Sequence, residues 1–316
     1  MEEAKSVLLI AGGGTLGTHT ANELLRLGCR VDVLCPEEKH SKVPALRYIR
    51  HYATQEVLSS LFSQNHYHGI VNFLHYQTVE EYEKVHPFLM QHTDHLIFLS
   101  SYRVYANEQH PITEAAPRLH EVYAGVEALM QKDTYGIAKC RCEDYLQEAC
   151  RGQNWTIVRP VISFSHRRFD ILLNTGDEVL RCAAAHRPML LPLSAKNKKA
   201  GLDWAGNSGK LIAHLLFRPA AMGEAFTIYS GHGMTWGEVV EAYHKVCGLE
   251  VAWVSDEEYL GSTEEIKAKS EIMWYYDRLF ERDMDCRKVL RVTGLRQADF
   301  ATVEEGIRTE LAARKV

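Results

Sequence analysis

The 316-residue chain contains no apolar run long enough to span a membrane. Its polar, acidic start, MEEAKS, leads into only a short apolar stretch, VLLIA, so no secretory signal is expected. Paired cysteine motifs are missing too. Cys29, Cys35, Cys140, Cys142, Cys150, Cys182, Cys247 and Cys286 are scattered without C-x-x-C spacing, which argues against a zinc ribbon or a disulfide framework. Reduced thiols in a cytoplasmic protein are the expectation. The sixteen histidines form no H-E-x-x-H or similar spacing, so no metal site is expected. Charge of one sign is scarce as well: 36 basic against 41 acidic residues leave a net −5. Such a balance supplies no general attraction to nucleic acid or to an anionic membrane.

What is present is an alternation. Strands are predicted at Val7–Ala11, Arg30–Cys35, Leu46–Arg50, Gly69–Leu74, His95–Ser100 and Trp155–Arg159. Helices are predicted at Leu16–Leu27, Gln55–Ser63 and Val79–Gln91, with Gly28 stopping the first. Strand–helix alternation implies βαβ units and a parallel sheet covered on both faces. The second half is less regular. Helices are predicted at Ile171–Ala185, Trp204–Phe217, Glu238–Val246 and Val303–Ala313, with a strand at Ala225–Tyr229. Lys196–Lys199 reads as a solvated basic loop.

The first strand runs into Ala11-Gly12-Gly13-Gly14-Thr15-Leu16-Gly17. A glycine turn between a buried strand and a helix lets backbone N–H groups approach a pyrophosphate, and the helix dipole favours the anion. This segment is therefore predicted to be a dinucleotide-binding turn of Rossmann type. An acid after the second strand would bind the ribose of NAD, and an arginine would suit NADP. The sequence offers Cys35-Pro36-Glu37-Glu38-Lys39-His40, whose two glutamates lean toward NAD.

Thr134-Tyr135-Gly136-Ile137-Ala138-Lys139 opens an amphipathic helix whose buried stripe is predicted to be Tyr135, Ala138, Cys142, Tyr145, Leu146 and Ala149. Tyr135 and Lys139 are four apart and share a face. A free tyrosine titrates near a pKa of about 10, and a nearby ammonium favours its phenolate. The strand before this helix ends in Ser100-Ser101, at the carboxyl edge where parallel sheets bind ligands. Ser100 reads as the turn or capping serine, and Ser101 as the one free to hold a substrate oxygen.

Glycine turn, Ser-Ser strand end and Y-x-x-x-K together resemble the extended short-chain dehydrogenase/reductases, specifically the NAD-dependent epimerase/dehydratase family acting on nucleotide sugars. Ser100-Ser101-Tyr102-Arg103-Val104-Tyr105 is similar to its S-S-x-x-V-Y, and Pro111-Ile112-Thr113-Glu114 to its P-x-T-E. Val158-Arg159-Pro160 is similar to its R-P, and Thr235-Trp236-Gly237-Glu238 to its T-W-x-E. Asp285-Cys286-Arg287-Lys288 with Thr293-Gly294 is similar to its D-x-x-K…G.

The resemblance implies a doubly wound Rossmann domain over residues 1–162, with a segment returning near 200–230. A smaller α/β substrate-binding region would cover 163–199 and 231–316. It implies Tyr135 as acid/base, Lys139 as ribose ligand and modulator of the tyrosine, and Ser101 as the donor to the reacting oxygen. Gly14, Thr15 and Leu16 would hold the pyrophosphate, and Phe73 and Leu74 would line the cofactor. Gly12, Gly17, Ser100 and Pro160 would complete its contacts. NAD or NADP is the implied cofactor, a nucleotide sugar the implied substrate, and a homodimer the implied assembly.

Departures from the family pattern are specific. Ala11 replaces the first glycine, and His51-Tyr52 replaces G-D. Leu74-His75-Tyr76 replaces an alanine-rich strand end, and Gly206-Asn207 replaces D-D. Ile162 replaces the substrate asparagine after R-P. Tyr102-Arg103 stands where 4,6-dehydratases carry Asp-Glu, which disfavours that reaction. An epimerase is the first reading. A ketoreductase using the same residues and a non-catalytic dinucleotide- or RNA-associated binder are the alternatives. Arg278 and Arg282 read as surface charge, and His75, His166, Arg167 and Arg168 as residues bordering the cleft.

Overall fold

Val7-Leu8-Leu9-Ile10 is apolar on both of its faces, so a strand there must be covered twice. In the computed structural model, which describes residues 4–314 (the side chains of 270 and 271 excepted), it is covered twice. Val7 and Leu9 pack into one cluster, Leu8 and Ile10 into another on the opposite face.

The strands are β1 (Ser6–Ile10), β2 (Arg30–Cys35), β3 (Leu46–Arg50), β4 (Gly69–Asn72), β5 (Leu96–Leu99), β6 (Trp155–Pro160), β7 (Ile162–Phe164), β8 (Met189–Pro192), β9 (Leu202–Trp204), β10 (Glu224–Ile228) and β11 (Val251–Val254). Seven of them form one sheet in the order β10-β6-β5-β4-β1-β2-β3, with every pairing parallel. The fold is thus a Rossmann-type α/β sheet. Two further parallel pairs, β7 with β9 and β8 with β11, lie in the second half. These short strands were not anticipated, because three or four residues show no usable periodicity.

The helices are α1 (Thr15–Arg26), α2 (Gln55–Phe62), α3 (Val79–Met90), α4 (Leu119–Val122), α5 (Glu127–Lys132), α6 (Gly136–Glu148), α7 (Gly176–Ala184), α8 (Ala205–Leu215), α9 (Trp236–Cys247), α10 (Asp256–Leu260), α11 (Glu264–Lys269), α12 (Arg287–Thr293) and α13 (Val303–Arg314). A π-helical stretch, Ser270–Arg278, follows α11. Helices α1 and α8 cover one face of the large sheet, and α2, α3 and α6 the other. The α1–α8 approach depends on Gly209, where a Cβ would fall 2.7 Å from the His19 backbone.

Three expectations require correction. The helix foreseen at Ile171–Ala185 starts only at Gly176. Asp170 Oδ1 accepts the Gly176 N–H at 2.8 Å, and Ile171 pairs with Asn174 in a tight turn, so side-chain bonding displaces the first helical turn. Gly206-Asn207 lies inside α8, and the acid immediately before the helix is Asp203. Its carboxylate accepts from the Trp204 and Ser230 backbones and from Asn207. Helix α6 is buried nearly all round at Ile137–Cys140, whereas Ala149, foreseen in its stripe, is exposed beyond the helix end.

Buried polar contacts fasten the C-terminal helix. Glu310 of α13 accepts from His19 Nε2 (2.9 Å), Trp204 Nε1 (2.7 Å), the His166 backbone (2.7 Å) and His166 Nδ1 (2.9 Å). Burial alone pushes its pKa up, but these hydrogen bonds outweigh it and bring the group down to about 2. A depressed carboxyl pKa contributes stability that is full above the unfolded value, near 4.3, and is lost as pH falls through the folded one. Glu310→Gln is therefore expected to destabilise the protein by about 1–3 kcal/mol at neutral pH. The gap from wild type should close between about pH 4 and pH 2 in urea melts. A constant gap across that range would assign the loss to shape rather than charge.

Candidate active site

After Ile10 the chain turns back through four residues and enters α1 at Thr15. Ala11 takes φ +55°, the left-handed region that a glycine would occupy freely. Gly17 has no alternative, since a Cβ there would fall 2.2 Å from the Gly12 carbonyl oxygen. Gly14 caps α1 without any side-chain hydrogen bond, and no acid stands in the first turn. A Cβ on Gly14 would meet nothing within 4 Å. Gly14, Thr15, Leu16 and Gly17, at the start of this twelve-residue helix, border a cleft, and a helix N-terminus is where a phosphate can be received. The Thr15 hydroxyl is already bonded to Ser165 at 2.9 Å.

Past the end of β2, the Glu37 carboxylate stands over Gly13, with Oε2 2.5 Å from where a Cβ would lie. Glu38 turns away to Arg50 at 2.9 Å. Lys39 donates to the Gly13 carbonyl at 2.6 Å, and burial together with the charge of Arg167 lowers its pKa. Of the two acids after the strand, only Glu37 therefore lies on the glycine turn.

At the end of β5 the capping serine is Ser101, not Ser100 as expected. Ser101 caps the 3-10 turn Tyr102–Val104, its Oγ accepting from Arg103 N at 3.2 Å. Ser100 Oγ is buried and has no hydrogen-bond partner among the described residues. Ser101 is extended and directly precedes the 3-10 turn, so it is the second serine that reaches the following N–H group. Both still face the cleft.

Lys139 of α6 is 2% exposed, and its ammonium donates to the carbonyls of Leu99 (2.5 Å) and Leu74 (3.3 Å). Burial pulls its pKa down to about 8. Tyr135 precedes α6, its backbone N–H bonded to Asp133. The Tyr135 ring lies 5.0 Å from the His75 ring, and the Arg103 guanidinium lies 5.4 Å over it. His75, beside Tyr135, has its own pKa lowered by burial and by the charge of Lys139.

These elements border one cleft of about 480 Å³ at the carboxyl edge of the sheet. Of the residues singled out in the sequence, Gly14, Thr15, Leu16, Gly17, Phe73, Ser100, Ser101, Tyr135 and Pro160 line it. Gly12, Leu74 and Lys139 do not. Gly12 underlies the turn, and Leu74 gives its carbonyl to Lys139 from behind the wall. Arg168 borders the cleft, whereas His166 is engaged by Glu310.

Arg278 and Arg282 are not surface charges; they are 5% and 3% exposed. Asp277 binds both, at 2.8 Å and 3.2 Å, and accepts from Tyr102 at 3.2 Å. Burial raises the Asp277 pKa, but the surrounding guanidinium groups outweigh it and hold the carboxyl below its usual range. Arg278 and Met273 bring the π-helical stretch to the cleft. The available signal was the charged pair embedded in the aromatic run IMWYYDRLF.

Neither a protein-family model nor a curated protein sequence matches the chain. Solved structures do resemble it over nearly their whole length. A UDP-glucose 4-epimerase from Thermus thermophilus, in complex with NAD, is 18% identical with a TM-score of 0.66, covering 98% of this chain and 99% of that one. The UDP-glucose 4-epimerase of Bifidobacterium longum, in complex with NAD+ and UDP, is 18% identical with a TM-score of 0.68, covering 98% of both chains. A short-chain dehydrogenase/reductase superfamily protein from Agrobacterium tumefaciens, with bound NAD, is 13% identical with a TM-score of 0.70, covering 98% of this chain and 97% of that one. At such identities the likeness establishes a shared fold.

The left-handed Ala11 makes its own prediction. An L-residue there costs about 1–2 kcal/mol, partly offset by the lower entropy of the unfolded alanine chain. Ala11→Gly is expected to raise the melting temperature by about 1–3 °C. A fall would show that the methyl group packs favourably.

Proposed function

We propose that the chain is an NAD-dependent oxidoreductase of the epimerase type acting on a nucleotide sugar. The observation that carries this reading is the convergence of Ser101 and Tyr135 on a cleft that begins at the open N-terminus of α1. The NAD-bound and UDP-bound neighbours of the same fold support it.

The residues present fit a dinucleotide. The first turn of α1 offers uncapped N–H groups to the pyrophosphate, and Glu37 stands where a ribose diol would be accepted. Phe73 and Pro160 supply apolar wall, and the unpartnered Ser100 Oγ is a buried donor awaiting an acceptor. Bound NAD supplies reversible two-electron oxidation at a substrate carbon.

The chain's own groups supply the proton chemistry. Ser101 Oγ accepts from Arg103 N and so keeps its own O–H to donate to the reacting oxygen, while Tyr135 takes the proton of that oxygen on oxidation and returns it on reduction. Lys139 fixes α6 against the ends of β4 and β5, just after Tyr135. Arg168 and Arg278 face the cleft from its far side and suit the diphosphate of the substrate. Returning the electrons within one turnover distinguishes epimerisation from net reduction, so no stoichiometric NADH accumulates.

Tyr135→Phe tests this directly. Turnover of a UDP-hexose should fall by about 10²–10⁴-fold. NAD affinity, measured by calorimetry, should stay within about threefold, because the phenyl ring remains. Undiminished turnover in the variant would overturn the assignment of Tyr135. NADH accumulating in proportion to substrate consumed would replace the epimerase with a reductase.

A further inference from the structure

We propose that Arg103 selects a substrate carrying a carboxylate beside the reacting carbon, so that the sugar is an acid of the uronate kind. The proposal rests on the reading above and narrows its substrate class.

Arg103 follows Ser101 by two residues and lines the cleft. Its side chain is only 13% exposed. A guanidinium has five N–H donors. Here Nη2 donates to Asp133 at 2.9 Å, and Nε lies 3.6 Å from Asp277, too far for a hydrogen bond. Nε is buried without a partner, and no hydrogen bond of Nη1 occurs among the described residues. Most of the donors on a largely buried cation are therefore unspent, although buried donors ordinarily find acceptors.

The charges around it do not balance. Arg103, Arg278 and Arg282 share Asp133 and Asp277, leaving one positive charge in excess. Arg282 Nε is also buried and unpartnered. The charged side chains that line the cleft are Arg103, Arg168 and Arg278; no carboxylate of the described residues joins them. An excess cation of this kind is costly unless an anion completes the group.

Position fixes which anion. Arg103 N is bonded to Ser101 Oγ, and its guanidinium covers the Tyr135 ring. The guanidinium thus stands next to the two groups assigned to the reacting oxygen. A planar carboxylate matches the guanidinium fork. A neutral hydroxymethyl group would leave the donors unbonded and the charge uncompensated, a difference that sites built for polar groups convert into strong discrimination.

Calorimetric titration of the NAD-saturated protein with UDP-glucuronate and with UDP-glucose tests this. Wild type is expected to bind the acid at least about tenfold more tightly, a factor of ten being 1.4 kcal/mol. Arg103→Gln should erase that preference. Arg103→Lys, which keeps the charge but not the fork, should retain part of it. The wild-type ratio and the lysine variant decide the matter even if the glutamine variant does not fold. Equal affinities in wild type, or a preference that survives in Arg103→Gln, would overturn the role of Arg103 alone. Failure of both nucleotides to bind would overturn the nucleotide-sugar reading and this proposal with it.

Discussion

The ammonium of Lys139 is buried beneath the cleft and hydrogen-bonds to two backbone carbonyls, those of Leu99 and Leu74. An ion in such a place is expensive, and its lowered pKa records the cost. The contact nevertheless organises the site. It draws α6 onto the ends of β4 and β5, and that docking places Tyr135, four residues earlier, beside Ser100 and Ser101. A second buried pair acts on the same helix: Glu143 receives two hydrogen bonds from Arg159 of β6, at 2.9 Å and 2.6 Å. Helix α6 is thus tied to three adjacent strands by charged side chains, and the tyrosine inherits their precision.

The parallel sheet does the rest. Because all seven strands run the same way, their carboxyl ends share an edge, and the turns leaving β1, β2, β4, β5 and β6 meet there. The glycine turn brings helix N–H groups to that edge, Glu37 arrives from β2, and the serines arrive from β5. The second half of the chain closes the far side through Arg278 and Met273. Asp277 joins that half to the turn bearing Tyr102 and Arg103, so closure of the cleft and placement of the charges beside Tyr135 depend on one carboxylate.

Much of this was legible in the sequence where local pattern and tertiary role agree. The run VLLIAGGGTLG states strand, turn and helix at once. Legibility ended where a residue's role is set by a partner far along the chain. Arg278 and Arg282 look solvated until Asp277, Tyr102 and Arg103 surround them. Ser101 rather than Ser100 is the capping serine because the 3-10 turn starts directly after it. The residues after Ile171 fail to begin a helix because Asp170 claims the Gly176 N–H. Lys139 reads as a ribose ligand and modulator of Tyr135, yet its hydrogen bonds go to carbonyls 40 and 65 residues away.

A crystal structure of the protein grown with NAD tests the central claim most directly. The account predicts the pyrophosphate against the N–H groups of Gly14–Leu16, the adenosine ribose at Glu37, and the nicotinamide facing Tyr135 and Ser101. A dinucleotide bound elsewhere, or one whose nicotinamide points away from Tyr135, would contradict it.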